Sequence, residues 1–196
     1  MHGWIQVFKP KAKPKVESTT TVSTPSPSQT VTLPSATPCQ HQSLLNCAVR
    51  WSREYDVFVC HSREHCDTEE AERLVSFLEA PPRNLRCFLS HRDSCPGAAI
   101  PTELCQAVQG SHIKVLLISP QFIKDEWCTY VMHQALVDEP MSNRIIPLVR
   151  NLLYSQLPPE LKVYTCSDLN RNTDHCYAMV NRTLLLYLKD CIKRGD

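Results

Sequence analysis

Tyr55 to Cys60 interleaves aromatic and β-branched residues with one aspartate, the pattern of a buried strand. The pattern then changes period. Ala71, Leu74, Val75 and Leu78 recur at helical spacing, which predicts a helix over Thr68–Glu79. Thr68, or Asp67 just before it, would cap the helix, and Glu69 and Glu70 suit its positive end. Pro81-Pro82 closes that helix, and Leu85–Leu89 reads as a second strand. A loop containing Pro96-Gly97 leads to a helix from Pro101 to Val108, proline being well suited to a first turn. Ile113–Ser119, an apolar run but for Lys114 and the closing serine, reads as a strand stopped by Pro120. The remaining pattern predicts a helix over Asp125–Val137, strands over Arg144–Val149 and Leu161–Thr165, and a closing helix over Asp174–Cys191.

Strands apolar on both faces and separated by helices imply a parallel sheet covered on both sides. The expected fold is a single doubly wound, flavodoxin-like α/β domain with five parallel strands. In such folds function gathers at the carboxyl ends of the strands, here residues 60–67 and 90–100.

Composition changes the picture at the amino terminus. Of the 21 residues from Ser18 to Pro38, 16 are Ser, Thr or Pro and none is charged, too little apolar surface to offset ordering entropy. Residues 16–46 are therefore expected to be a disordered linker. Residues 1–15 carry Lys9, Lys11, Lys13 and Lys15 with no acid, and Trp4, Ile5, Val7 and Phe8 supply apolar anchors. Each basic residue near an anionic leaflet contributes about 1 kcal/mol, which suits a reversible membrane-binding segment. Residues 51–192 form the expected domain. The first residues lack a basic-then-apolar leader, and Val115–Ile118, among the longest apolar runs, is far too short to span a bilayer. With an odd count of 11 cysteines, the expected setting is cytoplasmic with reduced thiols. Four glycines exclude a glycine-rich phosphate loop, and the domain lacks the basic stripe of a nucleic-acid binder. Cys60, His61, His65 and Cys66 have ligand chemistry but match no zinc spacing, so no metal and no cofactor is expected.

Three motifs carry a resemblance. Tyr55-Asp56-Val57-Phe58-Val59-Cys60-His61-Ser62 is similar to box 1 of the Toll/interleukin-1 receptor (TIR) domain. Arg92-Asp93-Ser94-Cys95-Pro96-Gly97 is similar to box 2, whose proline lies in the BB loop. Ser119-Pro120-Gln121-Phe122 through Trp127-Cys128 resembles the passage from the third strand into the next helix. Within the family, Trp51–Val57, Leu85–Leu89, Glu103–Ala107 and Pro158–Leu161, with the basic tip and tether, resemble the membrane-sorting adaptors of Toll-like receptor signalling.

That resemblance implies a signalling adaptor leading to inflammatory, NF-kappa-B-directed innate immune responses, peripheral at the plasma membrane or endosomes. The implied partners are TIR domains of Toll-like receptors, the death-domain-containing myeloid differentiation primary response adaptor, further copies of the chain, and anionic phosphoinositides. Arg92, Asp93, Ser94, Cys95, Pro96 and Gly97 would make the TIR–TIR contact, and Tyr55 becomes a candidate for phosphorylation. Pro158-Pro159-Glu160-Leu161 is also similar to a docking motif for TNF-receptor-associated factors, although Val163 breaks its last position.

Some family members cleave NAD with a glutamate four residues after a tryptophan; Trp127 plus four is Val131, so no catalytic residue is assigned. An inhibitory TIR protein is a further alternative. Cys60 reads in two ways: a thiol favoured as thiolate by His61 and Arg63 and open to reversible oxidation, or a buried inert cysteine.

Overall fold

The computed structural model describes residues 43–97, 99–138 and 144–194. The proposed membrane residues Trp4, Phe8, Lys9, Lys11, Lys13 and Lys15, and the tether up to residue 42, lie outside them.

A short helix α1 (Ala48–Trp51) precedes β1 (Tyr55–Cys60), α2 (His65–Glu79) and β2 (Cys87–Leu89). Then come α3 (Ser90–Asp93), α4 (Ile100–Gln109), β3 (Ser111–Ile118), α5 (Pro120–Lys124), α6 (Glu126–Asp138) and β4 (Ile145–Val149). Two 3-10 turns, Tyr154–Gln156 and Pro159–Leu161, lead to β5 (Ser167–Asp168) and α7 (Thr173–Arg194). The five strands pair in parallel in the order β2-β1-β3-β4-β5. The doubly wound expectation therefore holds, with its strand order reversing beside β1.

Alternation along the central strands sends side chains into two cores. Val57, Val59, Ile113, Val115 and Leu117 pack with α2 and α7, through residues such as Leu74, Leu78, Val180 and Leu184. Phe58, Cys60, Leu116 and Ile118 face α4 and α6, through Leu104, Val108, Cys128, Val131 and Met132. Phe58 and Phe88 stack across β1 and β2 with ring centroids 5.6 Å apart. Helix ends are capped locally: Ser119 Oγ accepts from Phe122 N, Asp125 Oδ1 from Trp127 N, and Asn172 Oδ1 from His175 N.

Four sequence readings need correction. The helix expected at Thr68 begins at His65, so Asp67 lies inside its first turn and is buried instead of capping it. The strand expected over Leu161–Thr165 does not form. Pro158-Pro159 bends the chain into a 3-10 turn that buries Leu161, and the fifth strand is a two-residue pairing at Ser167–Asp168. The loop expected over 90–100 begins as helix α3, whose Ser94 N donates to Ser90 O. Leu45, placed by composition in the linker, is buried against the α2–α7 core, so the fold begins before Trp51.

Lys114 is fully buried in β3 between β1 and β4. Burial, with Arg144 and Arg53 nearby, pushes its ammonium down to about 7. An unfolded lysine titrates near ~10.4. Between those limits the unfolded chain binds a proton that the folded chain refuses, so this group costs stability as pH falls from ~10.4 towards 7. Lys114→Met should flatten that part of the melting-temperature profile; wild type and variant with equal slopes between pH 7 and 10 would refute the assignment.

Candidate functional site

At the carboxyl edge, one buried carboxylate ties three strand exits together. Asp67 Oδ2 accepts from Ser62 Oγ after β1, at 2.6 Å, and from Ser119 Oγ after β3. Arg150, after β4, donates from Nη1 to Asp67 Oδ1 at 3.2 Å and to Cys66 O at 2.9 Å. Ser62 and Ser119 belong to two of the motifs recognised in the sequence. Their common partner lies 5 and 52 residues away, which no local pattern signals.

The box 2 residues divide into a base and a tip. Arg92 grips Glu79 through two parallel bonds of 3.0 Å and donates to Cys87 O at 2.9 Å. It also pairs with Asp93, whose Oδ2 accepts from Leu89 N at 2.7 Å. These two carboxylates raise the Arg92 pKa further. Beyond the base, Cys95, Pro96 and Gly97 are exposed and Ser94 is half-buried. Cys95 N donates to Glu103 Oε1 at 2.9 Å, anchoring the tip to α4. Gly97 adopts φ +88°, a conformation that other residues rarely accept, so the Pro-Gly pair holds one turn. Arg92 and Asp93 thus position the loop, while Cys95, Pro96 and Gly97 form its exposed tip.

Behind the loop lies a cavity of about 530 Å³ between the β1 exit, α4 and α6. Pro96, Ile100, Trp127, Cys128 and Val131 line it. Val131 is 2% exposed, so the position four after the tryptophan does face this cavity, with an isopropyl group where a carboxylate would be needed. Glu126 is exposed on α6 and is not part of the lining. Ile100, Trp127 and Tyr130 are exposed apolar groups on α4 and α6, with Trp127 and Tyr130 edge-to-face at 6.1 Å. Sequence reasoning used Trp127 only as a landmark and missed Tyr130, whose exposure depends on how α6 packs.

Cys60 settles in favour of the buried reading. It is 7% exposed, and its thiol is pushed well up by a sulfur contact with Cys128 and by burial. Burial also holds His61 below its ordinary range, so the ring supplies no cation to favour a thiolate. The expectation of a reactive Cys60 is corrected on that ground. Tyr55 starts β1 half-buried, edge-on to Phe88 at 5.2 Å, and burial and Glu54 push its hydroxyl up to about 12.

His61 and His91 meet beside the cavity. His91 Nδ1 lies 3.3 Å from His61 Nε2, and His91 Nε2 lies 3.0 Å from Glu72 Oε1. His61 Nδ1 lies 2.7 Å from Ser62 O.

A second cluster sits at the amino end of β1. Asp56, fully buried, accepts from Arg50 Nε at 2.9 Å, Arg86 Nη2 at 2.8 Å and Arg86 N at 2.8 Å. Burial alone would raise its pKa, but the two guanidinium groups outweigh it and hold the carboxyl below the usual range. The Arg86 guanidinium also covers the exposed Trp51 ring at 4.5 Å.

Comparison with known proteins agrees with this geometry. The TIR domain family model matches residues 57–184. The chain is 46% identical over 141 residues to the Toll/interleukin-1 receptor domain-containing adapter protein of Homo sapiens, covering 71% of this chain and 62% of the adapter. It is 26% identical over 145 residues to human Toll-like receptor 6, covering 72% of this chain but 16% of the receptor. The crystal structure of the TIR domain of a Toll-related receptor from Hydra magnipapillata superposes with a TM-score of 0.53 at 25% identity, covering 69% of this chain and 98% of that one. The chain therefore spans less than two thirds of the curated relatives it matches. Parallel sheet, box motifs and matched segment converge: the chain belongs to the TIR-domain family.

Proposed function

We propose that this chain is a non-enzymatic TIR adaptor. It would sit at phosphoinositide-containing membranes and bridge the TIR domains of Toll-like receptors to the death-domain-containing myeloid differentiation primary response adaptor, and so to inflammatory signalling. The observation that carries this reading is the box 2 loop: a base pinned through Arg92 and Asp93, and an exposed Pro96-Gly97 turn. A pre-ordered loop loses little conformational freedom on binding, which favours association through a small contact. The similarity to the human adapter protein and to a human Toll-like receptor supports both the role and the partner class. Val131 in the cavity supports association over NAD cleavage, because it cannot stabilise a cationic sugar-like transition state.

Individual TIR contacts of this kind are weak, and confinement to a membrane raises their effective concentration. The four lysines and the aromatic residues of 1–15 are the source of that confinement in this reading. The test uses the full chain with vesicles containing phosphatidylinositol 4,5-bisphosphate and a soluble receptor TIR domain. Wild type should sediment with the vesicles and carry the receptor domain with it. The variant with Lys9, Lys11, Lys13 and Lys15 all changed to alanine should lose at least ten-fold in vesicle binding while still associating in solution. Equal sedimentation of the two would overturn the membrane role, and nicotinamide release from NAD would overturn the non-enzymatic one.

A further inference from the structure

We propose that His61 and His91 form a two-histidine site for a divalent late transition-metal ion, Zn2+ in the first instance, at the root of the box 2 loop.

The argument begins with the outer nitrogens. His61 Nδ1 lies 2.7 Å from the Ser62 carbonyl oxygen, which can only accept, so Nδ1 carries the proton and Nε2 presents a lone pair. His91 Nε2 lies 3.0 Å from Glu72 Oε1, and an ionised carboxylate can only accept, so Nε2 carries a proton and in the neutral ring His91 Nδ1 presents a lone pair as well. These two nitrogens face each other at 3.3 Å, with the rings nearly perpendicular at 86°. Two lone pairs at that distance need a cation between or beside them: either a proton on His91 Nδ1 donated to His61 Nε2, or a metal ion that takes its place.

The separation has a second meaning. Two nitrogen ligands on a tetrahedral zinc, each about 2.0–2.1 Å from the metal, stand about 3.3–3.4 Å apart. The two lone pairs already have the spacing of adjacent corners of such a polyhedron. Each outer N–H is held by a carbonyl or a carboxylate, the arrangement that orients metal-bound imidazoles. Among the described residues no group of three or more His, Cys, Asp or Glu could hold a metal ion, so water would complete the coordination. Imidazole pairs suit zinc, copper and nickel over magnesium or calcium. His91 is 39% exposed at its side chain, which leaves an entry path.

The sequence hides this site because its ligands lie 30 residues apart on different strand exits. The zinc reading tested there combined His61 with Cys60, whose thiol is buried against Cys128. A bound ion would cross-link the exit of β1 to α3, immediately before Ser94–Gly97, and through Glu72 to α2.

The chain has 8 histidines and 11 cysteines, so the test must resolve individual rings. The full chain labelled with 15N-histidine is titrated with zinc chloride at pH 7.5, and the ring nitrogens are followed by long-range proton–nitrogen correlation. His61 Nε2 and His91 Nδ1 should shift together and saturate at one equivalent, while the buried His112 stays unmoved. His91→Leu should abolish the shift at His61, and His61→Asn the shift at His91. Glu72→Gln should weaken binding several-fold while keeping both shifts. Zinc that leaves both rings of the wild type unmoved would overturn the proposal. So would a His61 shift that persists unchanged in His91→Leu, which marks single-ligand binding.

Discussion

Asp56→Ala is expected to lower the melting temperature by about 10 °C. Asp56 is fully buried between Arg50 and Arg86 and accepts from both guanidinium groups. Forming such a cluster adds little net stability, because desolvating the charges consumes most of the attraction. Removing one member is different. Alanine leaves Arg50, 5% exposed, and the partly buried Arg86 without their carboxylate, a class of loss that costs about 3–5 kcal/mol. At roughly 3 °C per kcal/mol for a domain of this size, that gives the expected drop. Arg50 also donates to Leu45 O at 2.8 Å and to Asn84 O at 2.7 Å, so losing its carboxylate should loosen the entry segment first. The linkage has a definite sign. The folded carboxyl titrates below its unfolded value, so its contribution is full above the unfolded pKa, ~3.9, and lost as pH falls through the lower folded one. Thermal unfolding at pH 7 and at pH 3 checks both parts, and a variant within 3 °C of wild type at pH 7 would remove Asp56 from the list of structural anchors.

Pro96→His should do the opposite, sparing the fold and abolishing association. Pro96 is exposed, its neighbour Gly97 has φ +88°, and nothing lies within 4 Å of where a Cβ on Gly97 would stand. Substitutions at such surface turns change stability by under about 1 kcal/mol, here a shift of a few degrees. The loop base is held by hydrogen bonds among Arg92, Asp93 and Glu79 that do not involve the substituted residue. The loss falls instead on the partner contact. Histidine frees a backbone that proline had fixed and places a polar ring where an apolar one was offered. Co-sedimentation with a receptor TIR domain should fall at least ten-fold at unchanged melting temperature. A folded variant that assembles like wild type would show that another surface makes the contact.

The two substitutions separate what the motifs do. Asp56 and Pro96 are both motif residues, yet one is buried and holds the sheet to its entry helix while the other is exposed at the tip of a loop. The same division runs through box 2, where Arg92 and Asp93, expected with the rest of the loop to meet a partner, also hold its base. Type and spacing do not separate these roles, because arginine and aspartate serve equally well at an interface or in an internal ion pair.

The sequence by itself determined the strands and helices whose burial is regular. β1 runs from Tyr55 to Cys60 as its alternation predicts, and Ile113–Ile118, apolar at every position but Lys114, forms the body of β3, because a strand covered on both faces needs a nearly continuous apolar run. It also determined the family, since box motifs are contiguous, and the turn at Pro96-Gly97, since proline and glycine act on their own backbone. Tertiary structure alone decided where isolated polar residues are used. Asp67 reads as a helix cap but joins Ser62, Ser119 and Arg150. Leu161 reads as a strand residue but is buried from a 3-10 turn in the core it shares with α6. Cys60 reads equally as a reactive or a buried thiol until Cys128 is seen against it. His91 reads as nothing until it meets His61. The reason is common to all four: periodicity records the average environment of a segment, whereas a hydrogen bond or a buried sulfur contact depends on one partner brought close by the fold from far along the chain.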